Sequence, residues 1–343
     1  MTTQQTFMRQ EIEEIPAATR RLLELGAPRL AEAGAALRAL DPVMIATIAR
    51  GSSDHASSFL KYAVELTAGI PVASIGPSII SIYRRELRFA GCAAIAISQS
   101  GKSPDIVSTA QAARRNGALT LALTNTIDSP LAAAADHALD LHAGPERSVA
   151  ATKSFVSSVV AGLGVLAHWQ QDRALLDALG ELPRAFEAAL GCDWSPLQAA
   201  LDGRESLYVL GRGPAMAIAS EAALKFKETC GIHAEAYSSA EVAHGPKAIV
   251  KAGYPVLALA ARDAAEASVV EQAEKLVGQG ARAFVTSARP GSGQGLPFAA
   301  TGHPLTDALT LVVTFYAFVE ALARHRGLDP DKPPHLMKVT ETV

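Results

Sequence analysis

Residues 94–105 read A-I-A-I-S-Q-S-G-K-S-P-D. An apolar strand ends there in Ser98, Gln99, Ser100 and Gly101. Ser103 is placed to cap the next helix, and Pro104 suits its first turn. Hydroxyls, backbone N–H groups and a helix dipole would converge at one spot, which is how an α/β fold holds a compact phosphate. Ser52 and Ser53, in A-R-G-S-S-D-H-A (49–56), supply further hydroxyls after another strand. An ordinary capped turn has the same outline, so the loop alone leaves both uses open.

A second set lies in S-E-A-A-L-K-F-K-E (220–228). Glu221, Lys225 and Glu228 are spaced i, i+4, i+7 and occupy a sector of about 60° on a helix. That pattern fits a solvated Glu–Lys–Glu face, and equally a carboxylate held by an ammonium for proton transfer. Spacing does not choose between them. The polar connection G-I-H-A-E-A-Y-S-S-A-E-V-A-H-G-P-K (231–247) follows, and His244 before Gly-Pro reads either as a positioned titratable group or as a surface loop histidine. His233 and Glu235 have the H-x-E spacing of zinc deaminases, but the accompanying P-C-x-x-C is missing and no metal is expected. Gly211-Arg212-Gly213 begins a dinucleotide fingerprint, yet Met216 stands where its third glycine belongs. No G-x-S-x-G appears to mark a serine hydrolase.

The elements that must carry these residues alternate. Apolar runs at 43–49, 71–75, 93–97, 119–123 and 138–141 are separated by helical patterns at 54–68 and 104–116. A second series has strands at 207–210, 256–260 and 281–286, with helices at 214–230 and 264–278. Runs this apolar between helices indicate α/β architecture, with parallel sheets covered on both faces. Gly51 aligns with Gly211, Ser98 with Ala260, and 114–123 with 277–286, so the series repeats at an offset of 160 to 163. The fold expected is a duplicated pair of doubly wound domains. The loop of the second copy, A-L-A-A-R-D-A-A (258–265), keeps the strand and loses the serines, so folding did not require them. This favours phosphate binding at Ser98–Ser103.

Composition agrees with a large buried core. The 343 residues are 49% hydrophobic and 19% charged, which excludes disordered and collagen-like classes. A net charge of −3 lacks the basic footprint of a nucleic-acid binder. Three cysteines without C-x-x-C spacing suggest a reducing compartment. The polar, acidic start lacks a signal-peptide core, so a cytoplasmic location is expected. The apolar stretches 156–169 and 305–323 read as buried helices, and no membrane partner is expected. By composition, the proline-rich end from Asp329 reads as a frayed tail.

Taken in order, these motifs resemble the tandem sugar-isomerase (SIS) family, in particular the isomerase part of glucosamine-6-phosphate synthase. The resemblance also covers F-M-R-Q-E-I-E-E-I-P (7–16), A-G-P-E-R-S-V-A-A-T-K-S-F (143–155), and L-M-K-V-T-E (336–341), which is similar to the family's closing A-K-S-V-T-V-E. It implies two flavodoxin-like SIS domains: a lead-in helix in 1–30, a phosphate-loop domain at 31–190, a catalytic-helix domain at 200–328 and a tail at 329–343. By the same resemblance Ser53, Ser98, Gln99, Ser100 and Ser103 hold phosphate and Val149 touches the sugar. Glu228 moves a proton between C1 and C2 beside Lys225. His244, supplied across a homodimer, opens the ring, and Lys338 can form a Schiff base with a ketose. The tail thereby gains a role that its composition does not suggest.

Ala151, Met337 and Asp54 depart from the family pattern, so sugar contacts are expected to differ. The synthase also carries an N-terminal glutaminase with cysteine at residue 2, where this chain has Thr2. The expectation is therefore a deaminase–isomerase taking glucosamine 6-phosphate to fructose 6-phosphate and ammonia without cofactor. The alternatives are an ammonia-dependent synthase, a deglycase of another sugar phosphate, or a non-catalytic sugar-phosphate sensor.

Overall fold

A computed structural model describes residues 5–338. Thr2 and the closing V-T-E at 339–341 lie outside the described residues. Five parallel strands form the first sheet: β1 (Met44–Ile48), β2 (Val72–Ser74), β3 (Cys92–Ile97), β4 (Leu119–Thr124) and β5 (His137–Asp140), in the order β2-β1-β3-β4-β5. Every residue of β3 is buried, as its unbroken apolar run requires. The second sheet comprises β6 (Ser206–Gly211), β7 (His233–Ser238), β8 (Pro255–Ala258), β9 (Arg282–Val285) and β10 (Gln294–Gly295), in the order β10-β9-β8-β6-β7. Read from β7, this is the same doubly wound order as the first sheet.

The two sheets belong to separate compact units. The N-terminal sheet unit comprises Glu14–Glu146, Lys153–Pro183 and the chain from Met337; the C-terminal sheet unit comprises the chain up to Glu13, Arg147–Thr152 and Arg184–Leu336. Each has a long core helix. Lys153–Gln170 is buried along nearly its whole length in the first. In the second, Pro304–His325 is apolar enough to cross a membrane, but its most apolar window is 94% buried within the protein, as a core helix should be.

The structure corrects the first repeat anchor. Gly51 and Gly213 precede the helices Ser52–Thr67 and Pro214–Cys230 with nearly identical backbones, φ 56°, ψ −134° and φ 58°, ψ −138°. The partners are therefore 162 residues apart, and Gly211 is the last residue of β6. Strand register agrees: Ala46 pairs with Ala94 in one sheet and Tyr208 with Val256 in the other, again at 162. A glycine is repeated where only glycine takes the backbone easily, and the string similarity around Gly211 was misleading.

H-A-E-A-Y-S also differs from expectation. It is not a connection but the edge strand β7, paired along its length with β6. Polar residues alternate with small ones there because an edge strand need not be apolar on both faces.

A Cβ on Gly51 would meet nothing within 4 Å, so the backbone alone sets the cost of a side chain at that position. Gly51→Ala is expected to destabilise the protein by about 1–3 kcal/mol, read as a lower midpoint in urea denaturation.

Candidate functional site

In the N-terminal sheet unit the order β2-β1-β3 makes β1 and β3 the switch point, from which successive connections depart in opposite directions. Ligands bind in such a crevice, beyond the C-terminal ends of the strands. Ser52 and Ser53, half-buried in the first turn after β1, and Ser98–Ser103 after β3 both lie there. Arg50 joins the two loops: its Nε lies 3.0 Å from Oδ2 of Asp105, a fully buried carboxylate that also accepts the Ile106 N–H. Neither residue was singled out from sequence, although an acid in the first turn after Pro104 is the usual complement to a helix dipole. Asp54 is half-buried beside them, and burial lifts its carboxyl above the ordinary value against the opposing charges of His55 and Arg50.

Within the serine loop, the Ser98 hydroxyl accepts the Gly101 N–H at 3.2 Å and the Ser100 hydroxyl accepts the Lys102 N–H at 3.4 Å. The Gln99 carbonyl accepts the Asn125 N–H. Ser103 stands at the helix N-cap, but its side chain makes no capping bond, contrary to the sequence expectation. Pro104 already removes one donor of the first turn, so the hydroxyl is less needed by the helix. Gly101 has φ 62°, and a Cβ there would lie 2.1 Å from Ser129 Oγ. Gly101 therefore lets the loop close against Ser129, which itself caps the helix Pro130–Ala134.

Lys338 belongs to the same unit. Its Nζ is 3.3 Å from Glu146 Oε2, and Glu146 also accepts the Ser154 N–H at 3.1 Å and the Ser154 O–H at 2.6 Å. Glu146 lies inside a motif noted from sequence, but nothing in that string announced a buried carboxylate. Lys153, also buried, pairs with Glu14.

Val149 belongs to the C-terminal sheet unit. It is half-buried, with its N–H directed at the Asp331 carbonyl at 3.3 Å, and Ser148 donates to the Pro330 carbonyl. Glu11 accepts the backbone N–H groups of Arg147 and Ser148. Asp331 accepts the N–H groups of Phe7 and Met8, each at 2.7 Å, and so caps the helix Phe7–Glu13. The described part of the tail is thus tethered rather than frayed: its prolines preclude regular structure, but its carboxylate and carbonyls have fixed partners.

On the helix Pro214–Cys230, Glu221 and Lys225 are wholly buried, so the solvated-face alternative does not hold. Lys225 Nζ lies 2.6 Å from Glu228 Oε2 and 3.2 Å from Glu221 Oε1, and Tyr316 donates to Glu221 at 2.9 Å. Burial alone would push the Lys225 ammonium down. The two carboxylates overcome it and hold the group above its ordinary value. Lys225 is therefore a fixed cation at neutral pH and not a base. Glu228 is the most open of the three side chains, 19% exposed, and borders a cleft of about 730 Å³ lined by Leu224, Thr229, Leu328, Lys332 and Leu336. His244 ends the 3₁₀ turn Glu241–His244 and is exposed.

Glu221→Gln should cost about 3 kcal/mol, because it leaves the buried ammonium with a single carboxylate; thermal unfolding at pH 7 measures this. The stability contributed by the raised Lys225 value is present below the unfolded lysine value of about 10.4 and is lost as pH rises through the still higher folded value. Unfolding midpoints of the wild type should accordingly fall above that pH.

The SIS domain model matches residues 42–167 and 201–292, each span opening just before the first strand of a sheet. Glutamine–fructose-6-phosphate aminotransferase (isomerizing) of Symbiobacterium thermophilum is 36% identical over 364 aligned positions, covering 97% of this chain and 58% of that protein. The chain thus spans a little over half the length of this curated relative. A Silicibacter pomeroyi protein solved under the provisional description of phosphosugar isomerase has 54% identity and a TM-score of 0.93, over 95% of this chain and all of that one. The C-terminal domain of glucosamine-fructose-6-phosphate aminotransferase from Francisella tularensis has 25% identity and a TM-score of 0.83, over 97% and 99%.

Proposed function

We propose, from the premise that the chain belongs to the SIS-domain family, that it is an aminosugar-phosphate deaminase–isomerase. The reaction is glucosamine 6-phosphate and water to fructose 6-phosphate and ammonia. Near full-length similarity to the isomerase part of an aminotransferase supports the sugar-phosphate class. The observation that carries the chemistry is the Glu221–Lys225–Glu228 row, in which two members are buried and paired while Glu228 borders a cleft.

In this reading Ser52, Ser53, Ser98, Gln99, Ser100 and Ser103 hold the 6-phosphate, and binding energy remote from the reacting carbons positions the sugar. His244 assists ring opening, each copy in a homodimer supplying it to the other. Glu228 takes the proton from C2 and returns it to C1, and the resulting ketimine is hydrolysed by water with loss of ammonia. A single carboxylate serves both adjacent carbons, so no second base is needed. Lys225, fixed as a cation, orients Glu228 through the 2.6 Å contact. Val149 contacts the sugar, and Lys338, held beside Glu146, meets the ketose end of the reaction.

Ammonia release from glucosamine 6-phosphate by the purified protein tests the reaction. Glu228→Gln should lower turnover by about 10²–10⁴-fold while retaining sugar-phosphate binding in calorimetry. A fully active variant overturns the assignment of Glu228. A wild type that binds the sugar phosphate without releasing ammonia overturns the deamination and favours a sensor.

A further inference from the structure

His244 sits on a short segment that is fixed on both sides and bare in the middle. Two residues before it, Val242 is wholly buried in the core cluster of Tyr208, Leu210, Tyr254 and Val256. Two residues after it, the Pro246 carbonyl accepts the Tyr208 hydroxyl at 2.7 Å. Between these anchors Gly245 takes φ 143°, ψ −52°, turning the chain so that His244 is exposed although its neighbour Val242 is buried. Tyr208 comes from the middle of β6, paired on both sides by β7 and β8, and is 2% exposed.

Its ring is held edge-on by Tyr237 and Tyr254, with centroids at 5.2 and 5.1 Å. Burial pushes the Tyr208 phenol well above its ordinary value, and Tyr254, Tyr237 and Glu235 push the same way, so it remains a donor across the physiological range. The other hydroxyls of the cluster are engaged elsewhere: Tyr254 with Ser206 Oγ and Tyr237 with Glu235. Of the three hydroxyls, only that of Tyr208 bonds to the segment beside His244, at Pro246.

We propose that Tyr208 is the positioning residue for His244, a buried phenol that sets the imidazole's place by holding the Pro246 carbonyl. The inference rests on the ring-opening role given to His244 above. It predicts an effect confined to ring opening, because the hydroxyl bonds the Pro246 carbonyl and not the row containing Glu228.

The experiment compares Tyr208→Phe with Tyr254→Phe, which removes from the same cluster a hydroxyl that bonds Ser206 and not the segment of His244. With cyclic glucosamine 6-phosphate, Tyr208→Phe should lose about 10- to 100-fold in kcat/KM. With the 4,5-dideoxy analogue, which cannot cyclise, it should match the wild type, and Tyr254→Phe should match on both. Equal losses on the two substrates, or none on either, overturn the proposal. Val242→Ala, which loosens the other anchor, should reproduce the cyclic-only loss and serves if Tyr208→Phe does not fold. The His244 imidazole resonance in ¹H–¹³C spectra gives a readout without substrate: it should shift and broaden in Tyr208→Phe but not in Tyr254→Phe. An unmoved resonance overturns the positioning role whatever the reaction is, whereas a moved resonance in a protein that releases no ammonia overturns only the reading of function.

Discussion

Lys225 carries its ammonium inside the C-terminal sheet unit, where water cannot solvate it, between Glu221 and Glu228. A buried cation of this kind is tolerable only when its neighbours are carboxylates in direct contact, and those carboxylates must find donors of their own. Tyr316 provides one for Glu221 from the long core helix Pro304–His325. The helix Pro214–Cys230 is therefore fixed in rotation as well as in depth: turning it by one residue would carry the whole charged row away from Tyr316 and break that bond to Glu221. Glu228 inherits its place from that constraint. Its orientation is set by groups that have no need to touch a substrate.

The duplicated sheets show what such constraints leave free. Both copies keep a glycine with the same positive-φ backbone before the helix that follows their first strand, because the strand-to-helix turn demands it. Beyond that turn they diverge. At 162 residues from Ser100 stands Arg262, which pairs with Asp307 and lies over the Phe298 ring at 4.7 Å. The second copy has filled with an ion pair and a cation–π contact the position at which the first presents hydroxyls and backbone N–H groups. Geometry is retained where the backbone needs it, and side chains have been reassigned where it does not.

Much of this was legible in the sequence. Apolar runs marked β3, β4, β6 and β8 because strands buried on both faces are mostly apolar, and Pro214 and Gly231 bracket their helix with ordinary start and stop signals. The serine loop could be read because its residues are local. The edge strand β7 was hidden, since only one of its faces needs to be apolar. The burial of Glu221 and Lys225 was hidden too, because the same i, i+4 spacing suits an exposed face, and what distinguishes the cases is Tyr316, far away in the chain. Glu11, Glu146 and Asp331 were invisible for a related reason: their partners are backbone groups or side chains placed by tertiary structure, and single-chain spacing carries no record of them. Ser103 is the reverse case, a residue whose local signal was clear but whose side chain makes no cap.

The carboxylate of Asp331 holds the first N–H groups of the helix Phe7–Glu13, more than 300 residues away in sequence. A seven-residue helix has little stability of its own. It persists through what it packs on and what caps it, so the release of Asp331 removes one of its supports. In hydrogen exchange, the amides of that first helix should therefore report on the far end of the chain. A cut in the backbone beside Asp331 would accordingly register in the helix Phe7–Glu13.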